Sequence, residues 1–308
     1  MSSLWAFPGQ GAQQPGMLHA LPEAPVVQAC TEQAGEVLGE DVRLLDSAEA
    51  LQDTRAVQLC LLIAGVAAAR LLCERGHRPD YVAGLSIGAY AAAVVAGALE
   101  FADAVRLVAL RGELMQRAYP DGYGMTAILG LDQARIERLL AEAEGPVYLA
   151  NINAETQLVI AGSDAAMAKV AERARALGAG AAKRLAMSVP SHCELLDEPA
   201  RELAAAFAHI DLRAPQVRYL SGSSARLIRD PEALRDDLAY NMSRVVDWQA
   251  TLVTAYERGV RLHLELPPGG VLTGLARRVF EPGQVIAFES ARLHTLDAML
   301  RQEVSLDR

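Results

Sequence analysis

Residues 81–99 read YVAGLSIGAYAAAVVAGAL and contain the pattern G-x-S-x-G at positions 84–88. This pattern predicts a short strand, a sharp turn at Ser86 and a helix that begins directly after the turn. The flanking glycines permit a crowded turn, and the free N–H groups at the start of the helix favour negative charge near the serine hydroxyl. A turn of small residues before a buried helix can also be purely structural. The pattern therefore makes Ser86 a candidate nucleophile and leaves the structural interpretation open.

The 308 residues carry a formal net charge of −9, which argues against a nucleic-acid partner. The opening MSSLWAFPGQG lacks a basic segment followed by an apolar run, so we expect no secretory signal. The apolar run 59–69 is too short to span a bilayer. We therefore expect a cytoplasmic protein that binds no membrane and keeps reduced, structural thiols at its four cysteines, Cys30, Cys60, Cys73 and Cys193.

Strands and helices are predicted to alternate along the first part of the chain. A buried strand at Leu4–Phe7 is followed by the turn Pro8-Gly9-Gln10-Gly11, and helices are predicted over Val26–Leu38 and Thr54–Leu72. The turn reads either as an ordinary β-turn or as a backbone segment held close to a site above the sheet. The alternation predicts an α/β fold in which a parallel sheet of the α/β-hydrolase type carries helices on both faces.

The pattern changes at Gly122-Tyr123-Gly124. Residues 123–189 predict the element order β-α-β-β-α-β, which is that of a ferredoxin-like unit. We therefore expect a large α/β-hydrolase-like subdomain formed by residues 1–122 and 190–308, with a small ferredoxin-like subdomain inserted at 123–189.

Arg111 and His192 are the other candidate site residues, and each has a structural alternative. Arg111 lies in a predicted helix over 102–118, where its side chain either snorkels to solvent or directs a guanidinium into a pocket. His192 follows a proline turn at the point where the small unit rejoins the large one, and a lone histidine is often structural. Beside Ser86, however, a neutral imidazole could accept the hydroxyl proton and return it to a thiol.

Taken together, the motifs of this chain resemble those of the malonyl-CoA:acyl-carrier-protein transacylase family. Within this family, the motif residues most resemble those of the epsilon subunit of malonate decarboxylase. The reason is that GLSIGAY stands in place of the usual G-H-S-x-G. The resemblance covers essentially the whole chain and rests on FPGQG at 7–11, GLSIG at 84–88, LRG at 110–112, NINAETQLVIAG at 151–162, VPSHC at 189–193 and GGVLTGLARR at 269–278.

The resemblance implies a role for five residues. Ser86 would be the nucleophile and His192 its base, while the backbone N–H groups of Gln10 and Ile87 would form the oxyanion hole. Arg111 would bind the free carboxylate of a malonyl group. No metal site is implied.

Other positions are less clearly assigned. Leu85 stands where most relatives have histidine. In this family a carbonyl from the segment before a tryptophan commonly orients the histidine. Asp247, beside Trp248, is therefore the candidate for orienting His192, and Asp197 is a rival candidate. Cationic contacts to CoA phosphates or to an acidic carrier could come from a basic rim, for which the candidates are Arg184, Arg277 and Arg278.

The implied activity is ping-pong transfer of a malonyl group from malonyl-CoA, through an ester of Ser86, to the thiol arm of an acyl carrier protein. No cofactor would be permanently bound, because the CoA thioester and the phosphopantetheine-type arm are substrates. The preferred carrier is that of malonate decarboxylase, and the alternative is that of fatty-acid or polyketide synthesis. A thioester hydrolase or a non-catalytic docking subunit is the second alternative.

Overall fold

A computed structural model describes residues 2–119 and 121–305, with side chains to Arg301. Within these residues the strands are β1 (Ser2–Phe7), β2 (Tyr81–Gly84), β3 (Tyr123–Leu129), β4 (Val147–Ala154), β5 (Gln157–Ser163), β6 (Ala181–Arg184), β7 (Arg218–Leu220), β8 (Leu227–Ile228), β9 (Val246–Asp247), β10 (Val260–Glu265) and β11 (Gln284–Ala287). The α-helices are α1 (Pro25–Leu38), α2 (Thr54–Glu74), α3 (Gly88–Val95), α4 (Phe101–Ala118), α5 (Gln133–Ala141), α6 (Asp164–Ala176), α7 (Asp197–Ala206), α8 (Pro231–Tyr240), α9 (Trp248–Glu257), α10 (Val271–Ala276) and α11 (Leu293–Ser305).

The larger sheet has the strand order β11-β10-β1-β2-β7-β8 and is parallel except for the β7–β8 pair. Alternate residues of β1 enter different cores. Trp5 and Phe7 pack with α1 to α4, whereas Leu4 and Ala6 pack with α9 and α10. Helices therefore cover both faces, as expected for an α/β-hydrolase-like core.

The smaller sheet has the order β6-β3-β5-β4-β9, and its first four strands alternate with α5 and α6 in the ferredoxin-like order. These elements lie between Tyr123 and Arg184. The fold class predicted from the sequence is thus confirmed, while the boundaries at 122 and 190 stay a prediction. Strand β9 comes from the later part of the chain and pairs in parallel with β4, with Val246 opposite Asn151. This pairing ties the smaller sheet to the segment that precedes α9.

Helix α2 is long and apolar enough to cross a membrane by length and composition, with a mean hydropathy of 2.1 over its most apolar window. In the structure 89% of that window is buried, against α1, α3 and α4. The core of a globular fold accounts for such a helix without a bilayer.

The sequence patterns did not predict β8, β9, β11, α8 and α11. Strands β8 and β9 have two residues each, which is too short for any hydrophobic period to show. The apolar run after Ser86 predicts a helix over Ala89–Ala98, but α3 ends at Val95, because Gly97 adopts a left-handed backbone with φ of 72°.

The turn at Ser86 depends on the absence of side chains at its glycines. A Cβ atom on Gly84 would lie 2.0 Å from the backbone carbon of Gly88, and one on Gly88 would lie 2.2 Å from the carbonyl oxygen of Phe7. The backbone N–H of Leu85 donates to that same oxygen at 3.0 Å. This packing holds Ser86 at a φ of 54°, a conformation that costs a residue with a side chain about 1–3 kcal/mol.

We predict that Gly84→Ala lowers the free energy of unfolding by at least about 3 kcal/mol or prevents folding, since the new methyl group would meet backbone that cannot move aside. Gly274→Ala is the matched control, because Gly274 lies in α10 with no atom within 4 Å of an added Cβ. Urea unfolding of both variants measures the difference. Equal stabilities would contradict this account of the turn.

Candidate active site

Ser86 sits at the carboxyl end of β2, immediately before α3, and is 8% exposed. Its Oγ lies 2.8 Å from Nε2 of His192 and 3.2 Å from Nη2 of Arg111. Three residues that are far apart in the sequence therefore meet at one hydroxyl. The structure brings together the nucleophile, base and carboxylate-binding candidates, whose roles stay predictions.

His192 is held by backbone carbonyls of the segment after α8. Its Nδ1 lies 2.9 Å from the carbonyl oxygen of Asn241 and 3.2 Å from that of Arg244, and its backbone N–H donates to Met242 at 2.7 Å. Because carbonyl oxygens only accept, Nδ1 must carry the proton, which leaves Nε2 free to accept from Ser86. A φ of 65° at His192 directs the ring into this position.

The carbonyls that orient His192 come from the segment before Trp248, as the resemblance implies, but they belong to Asn241 and Arg244 and not to Asp247. The Asp247 carboxylate instead accepts from the backbone N–H of Ala250 at 2.9 Å and caps α9. The rival, Asp197, lies exposed at the start of α7. The orienting groups are peptide carbonyls, which every residue carries, so side-chain identity could not reveal them.

The pKa of His192 is lowered from 6.5 to about 4, chiefly by burial and also by the positive charge of Arg111, while the two carbonyl hydrogen bonds act in the opposite direction. The imidazole is therefore neutral near pH 7. A neutral imidazole is the form that can accept a proton from Ser86.

Arg111 is 1% exposed, so its guanidinium lies in the site and not in solvent. Its Nη1 donates to Oε1 of Gln58 at 2.7 Å, and its Nη2 donates to Oδ1 of Asn241 at 3.2 Å as well as to Ser86. Burial lowers its pKa to about 10, which still leaves it positively charged near neutral pH. Helical periodicity could not distinguish this position from a solvated one.

A cavity of about 230 Å³ opens beside Ser86, between the two sheets. Its walls include Gln10 from the turn after β1, Leu85, and Asn151 of β4. In the part of the chain that the structure describes, neither Gln10 nor Ile87 donates its backbone N–H to another protein group. Both donors are thus available, and their oxyanion role stays a prediction.

The basic rim is only partly as predicted. The Arg184 guanidinium is occupied by Asp164 and by the carbonyl oxygens of Tyr123, Leu185 and Met187, so it closes the end of the smaller sheet. These hydrogen bonds leave Arg184 less available to a substrate, and its role as a substrate contact stays a prediction. Arg277 and Arg278 are exposed just after α10.

Gln58 and Asn241 are site residues that the sequence analysis missed. Gln58 is a lone polar residue in the apolar stretch 56–69 of a buried helix, and that contrast is a signal that could have identified it. Asn241 carries no comparable signal. No metal-binding group of three or more His, Cys, Asp or Glu side chains occurs among the residues described.

The chain is similar in sequence to known proteins over most of its length. The family model described as the acyl transferase domain matches residues 4–295, which include Ser86, Arg111 and His192. The chain belongs to the acyl transferase family. This acyl transferase is 40% identical over 285 residues to the malonyl CoA-acyl carrier protein transacylase of Salmonella typhimurium, with 90% of this chain and 92% of that protein covered.

Further relatives extend the comparison. The corresponding transacylase of Bacillus subtilis is 34% identical, with 89% of each protein covered. The polyketide biosynthesis protein ThaF of Burkholderia thailandensis is 35% identical, and the match covers 89% of this acyl transferase but 24% of ThaF.

Solved structures agree with this assignment. The malonyl CoA-acyl carrier protein transacylase of Coxiella burnetii superimposes with a TM-score of 0.90 at 36% identity and covers 93% of each chain. A malonyl-transacylase solved in complex with a type II PKS acyl-carrier protein superimposes with a TM-score of 0.89 at 39% identity, covering 93% of this acyl transferase and 96% of that chain.

The pKa of His192 leads to a prediction for the pH dependence of this acyl transferase. With His192 in its predicted role as the base, acyl transfer needs the unprotonated imidazole, so kcat/KM should stay level on acidification and fall only as the pH passes through about 4. In Arg111→Ala one cause of the low pKa is removed, and the acid limb should move to higher pH when acetyl-CoA is the substrate. Rate profiles with circular dichroism as a folding control measure this. A wild-type limb centred near the ordinary histidine value would contradict the prediction.

Proposed function

We propose that this protein transfers malonyl groups from malonyl-CoA to the thiol arm of an acyl carrier protein, through an ester of Ser86. The observation that carries the proposal is the buried charge of Arg111, 3.2 Å from the Ser86 hydroxyl and without a carboxylate partner among the described ion pairs. A buried cation beside a nucleophile favours an acyl group that carries its own carboxylate. The names of the relatives with 34–40% identity support the same substrate.

In the first half-reaction, His192 accepts the Ser86 proton as Oγ attacks the thioester carbonyl carbon. The backbone N–H groups of Gln10 and Ile87 would stabilise the negative charge that develops on the carbonyl oxygen, at about 3 kcal/mol for each donor. The tetrahedral intermediate then collapses, the carbon–sulfur bond breaks, and His192 returns the proton to the departing CoA thiolate.

The second half-reaction runs the same steps in reverse with the thiol of the carrier arm. His192 takes the thiol proton, the sulfur attacks the malonyl ester, and the proton returns to Ser86 Oγ as the ester bond breaks. Because each half-reaction exchanges a thioester and an ester, no metal or redox cofactor is required. The small cavity between the two sheets would limit the access of water to the ester.

The proposed carrier belongs to fatty-acid or polyketide synthesis. The motif residues favoured the carrier of malonate decarboxylase. The relatives described above are transacylases and a polyketide protein, and their names favour a fatty-acid or polyketide carrier instead. A transacylase in complex with a polyketide acyl-carrier protein supports the same class of partner. The carrier of malonate decarboxylase is thus the less favoured alternative.

Arg277 and Arg278 are proposed contacts for acidic carriers or CoA phosphates, since both are exposed and follow a helix that lines the cavity. We propose that the protein acts in the cytoplasm, which is consistent with its four free cysteines.

The proposed reaction is tested with labelled malonyl-CoA. Without a carrier, wild type should hold a stable label, and Ser86→Ala should hold none. Rapid release of free malonate would indicate a hydrolase, and the absence of label on wild type would indicate a docking subunit. Either result would overturn the proposal.

The same labelled enzyme is then offered the two kinds of carrier. We expect transfer to the phosphopantetheine arm of a fatty-acid or polyketide carrier to exceed transfer to the carrier of malonate decarboxylase. The opposite order would restore the decarboxylase alternative.

We predict that Arg111→Ala lowers kcat/KM for malonyl-CoA by well over tenfold while affecting acetyl-CoA much less. Loss of one partner of a buried charged pair costs on the order of 2–5 kcal/mol, and acetyl has no carboxylate to lose. Initial rates with both thioesters measure the ratio. An equal decrease for both acyl groups would refute the carboxylate role.

A further inference from the structure

The guanidinium of Arg111 is surrounded by neutral acceptors. Its hydrogen-bond acceptors are the side-chain oxygens of Gln58, Asn241 and Ser86, and none of the described ion pairs includes it. A fully buried arginine is ordinarily paired with a carboxylate. The lack of negative charge around this one, among the residues described, is therefore a specific feature that needs an explanation.

Gln58 is fully buried in α2, and both ends of its amide have partners. Its Oε1 accepts from Nη1 of Arg111 at 2.7 Å, and its Nε2 donates to Sδ of Met115 at 3.2 Å. An arginine only donates, and a thioether only accepts, so the amide has one satisfied orientation. Gln58 consequently offers Arg111 a fixed, uncharged acceptor.

Asn241 contacts both functional groups of the site. Its side-chain Oδ1 accepts from Nη2 of Arg111 at 3.2 Å, and its backbone oxygen lies 2.9 Å from Nδ1 of His192. The residue is 1% exposed. A displacement of this residue would therefore move the guanidinium and the imidazole together.

We propose that Gln58 and Asn241 are positioning residues that orient Arg111 without neutralising it, so that its charge stays available for the carboxylate of the incoming acyl group. The inference rests on the proposed role of Arg111. An amide fixes the guanidinium by hydrogen bonds alone, whereas a carboxylate in either position would form an internal ion pair and compete with the substrate. The neutrality of these two side chains thus contributes to the selection of the acyl group.

Gln58→Glu tests this directly, because it replaces an amide by a carboxylate of almost the same shape. The ratio of kcat/KM for malonyl-CoA to that for acetyl-CoA should fall at least about tenfold, chiefly through a higher KM for malonyl-CoA. Asn241→Asp should lower the ratio in the same direction, since its backbone carbonyl can still hold His192.

Gln33→Glu is the matched control. Oε1 of Gln33 accepts from Nη1 of Arg70 at 3.0 Å, so this variant makes the same chemical change at a second glutamine–arginine contact. Gln33 lies in α1, and among the described hydrogen bonds neither Gln33 nor Arg70 is joined to Ser86, Arg111 or His192. The malonyl to acetyl ratio should equal that of wild type.

The Arg111→Ala background separates the inference from the proposed function. With Arg111 absent, Gln58→Glu should leave the ratio unchanged, because no charge is left to compensate. If Arg111→Ala itself left the ratio at the wild-type value, the proposed carboxylate role would fail. If Arg111→Ala lowered the ratio and Gln58→Glu did not, the positioning inference alone would be wrong.

Gln58→Met keeps the test decisive if the acidic variant does not fold. Methionine retains the length of the side chain and replaces the amide oxygen by a weakly accepting thioether, so Arg111 loses much of its orientation but not its charge. We expect a decrease of about three- to tenfold in the malonyl to acetyl ratio. A wild-type ratio in folded Gln58→Met would overturn the inference.

Discussion

The hydroxyl of Ser86 donates to His192 and accepts from Arg111, and the rest of the site depends on this pair of contacts. A neutral imidazole that accepts the proton and a charged guanidinium that donates to the oxygen both favour loss of the Ser86 proton. The geometry is possible because the turn holds Ser86 at a positive φ, which in turn requires glycine at both flanking positions of the motif.

Electrostatics and burial act together in this site. Because Arg111 is buried, its charge is weakly screened and contributes to the low pKa of His192. In the proposed function, the same charge binds the carboxylate of the acyl group. One arginine thereby affects both the protonation of the base and the proposed choice of acyl group, and this coupling explains why it is surrounded by amides.

The two sheets contribute different parts of the site. The larger sheet supplies Ser86 and the turn with Gln10 at the carboxyl ends of adjacent parallel strands, where open α/β sheets commonly bind ligands. The smaller sheet supplies the opposite wall, and the pairing of β9 with β4 fixes that wall to the segment that holds His192. The cavity is therefore lined by residues of both sheets.

The amino-acid sequence predicts the fold class and the turn at Ser86, because glycine spacing and hydrophobic periodicity are local properties. The order of a known family's motifs adds Ser86, Arg111 and His192 as candidate site residues. The sequence could not determine which carbonyls orient His192, since every residue carries one, and both Asp247 and its rival Asp197 stayed open. Only the tertiary structure decided that Arg111 faces inward, that Arg184 is occupied by carbonyl groups, and that Gln58 and Asn241 surround the guanidinium. These facts depend on contacts between segments that are distant in the chain, and no local pattern records such contacts.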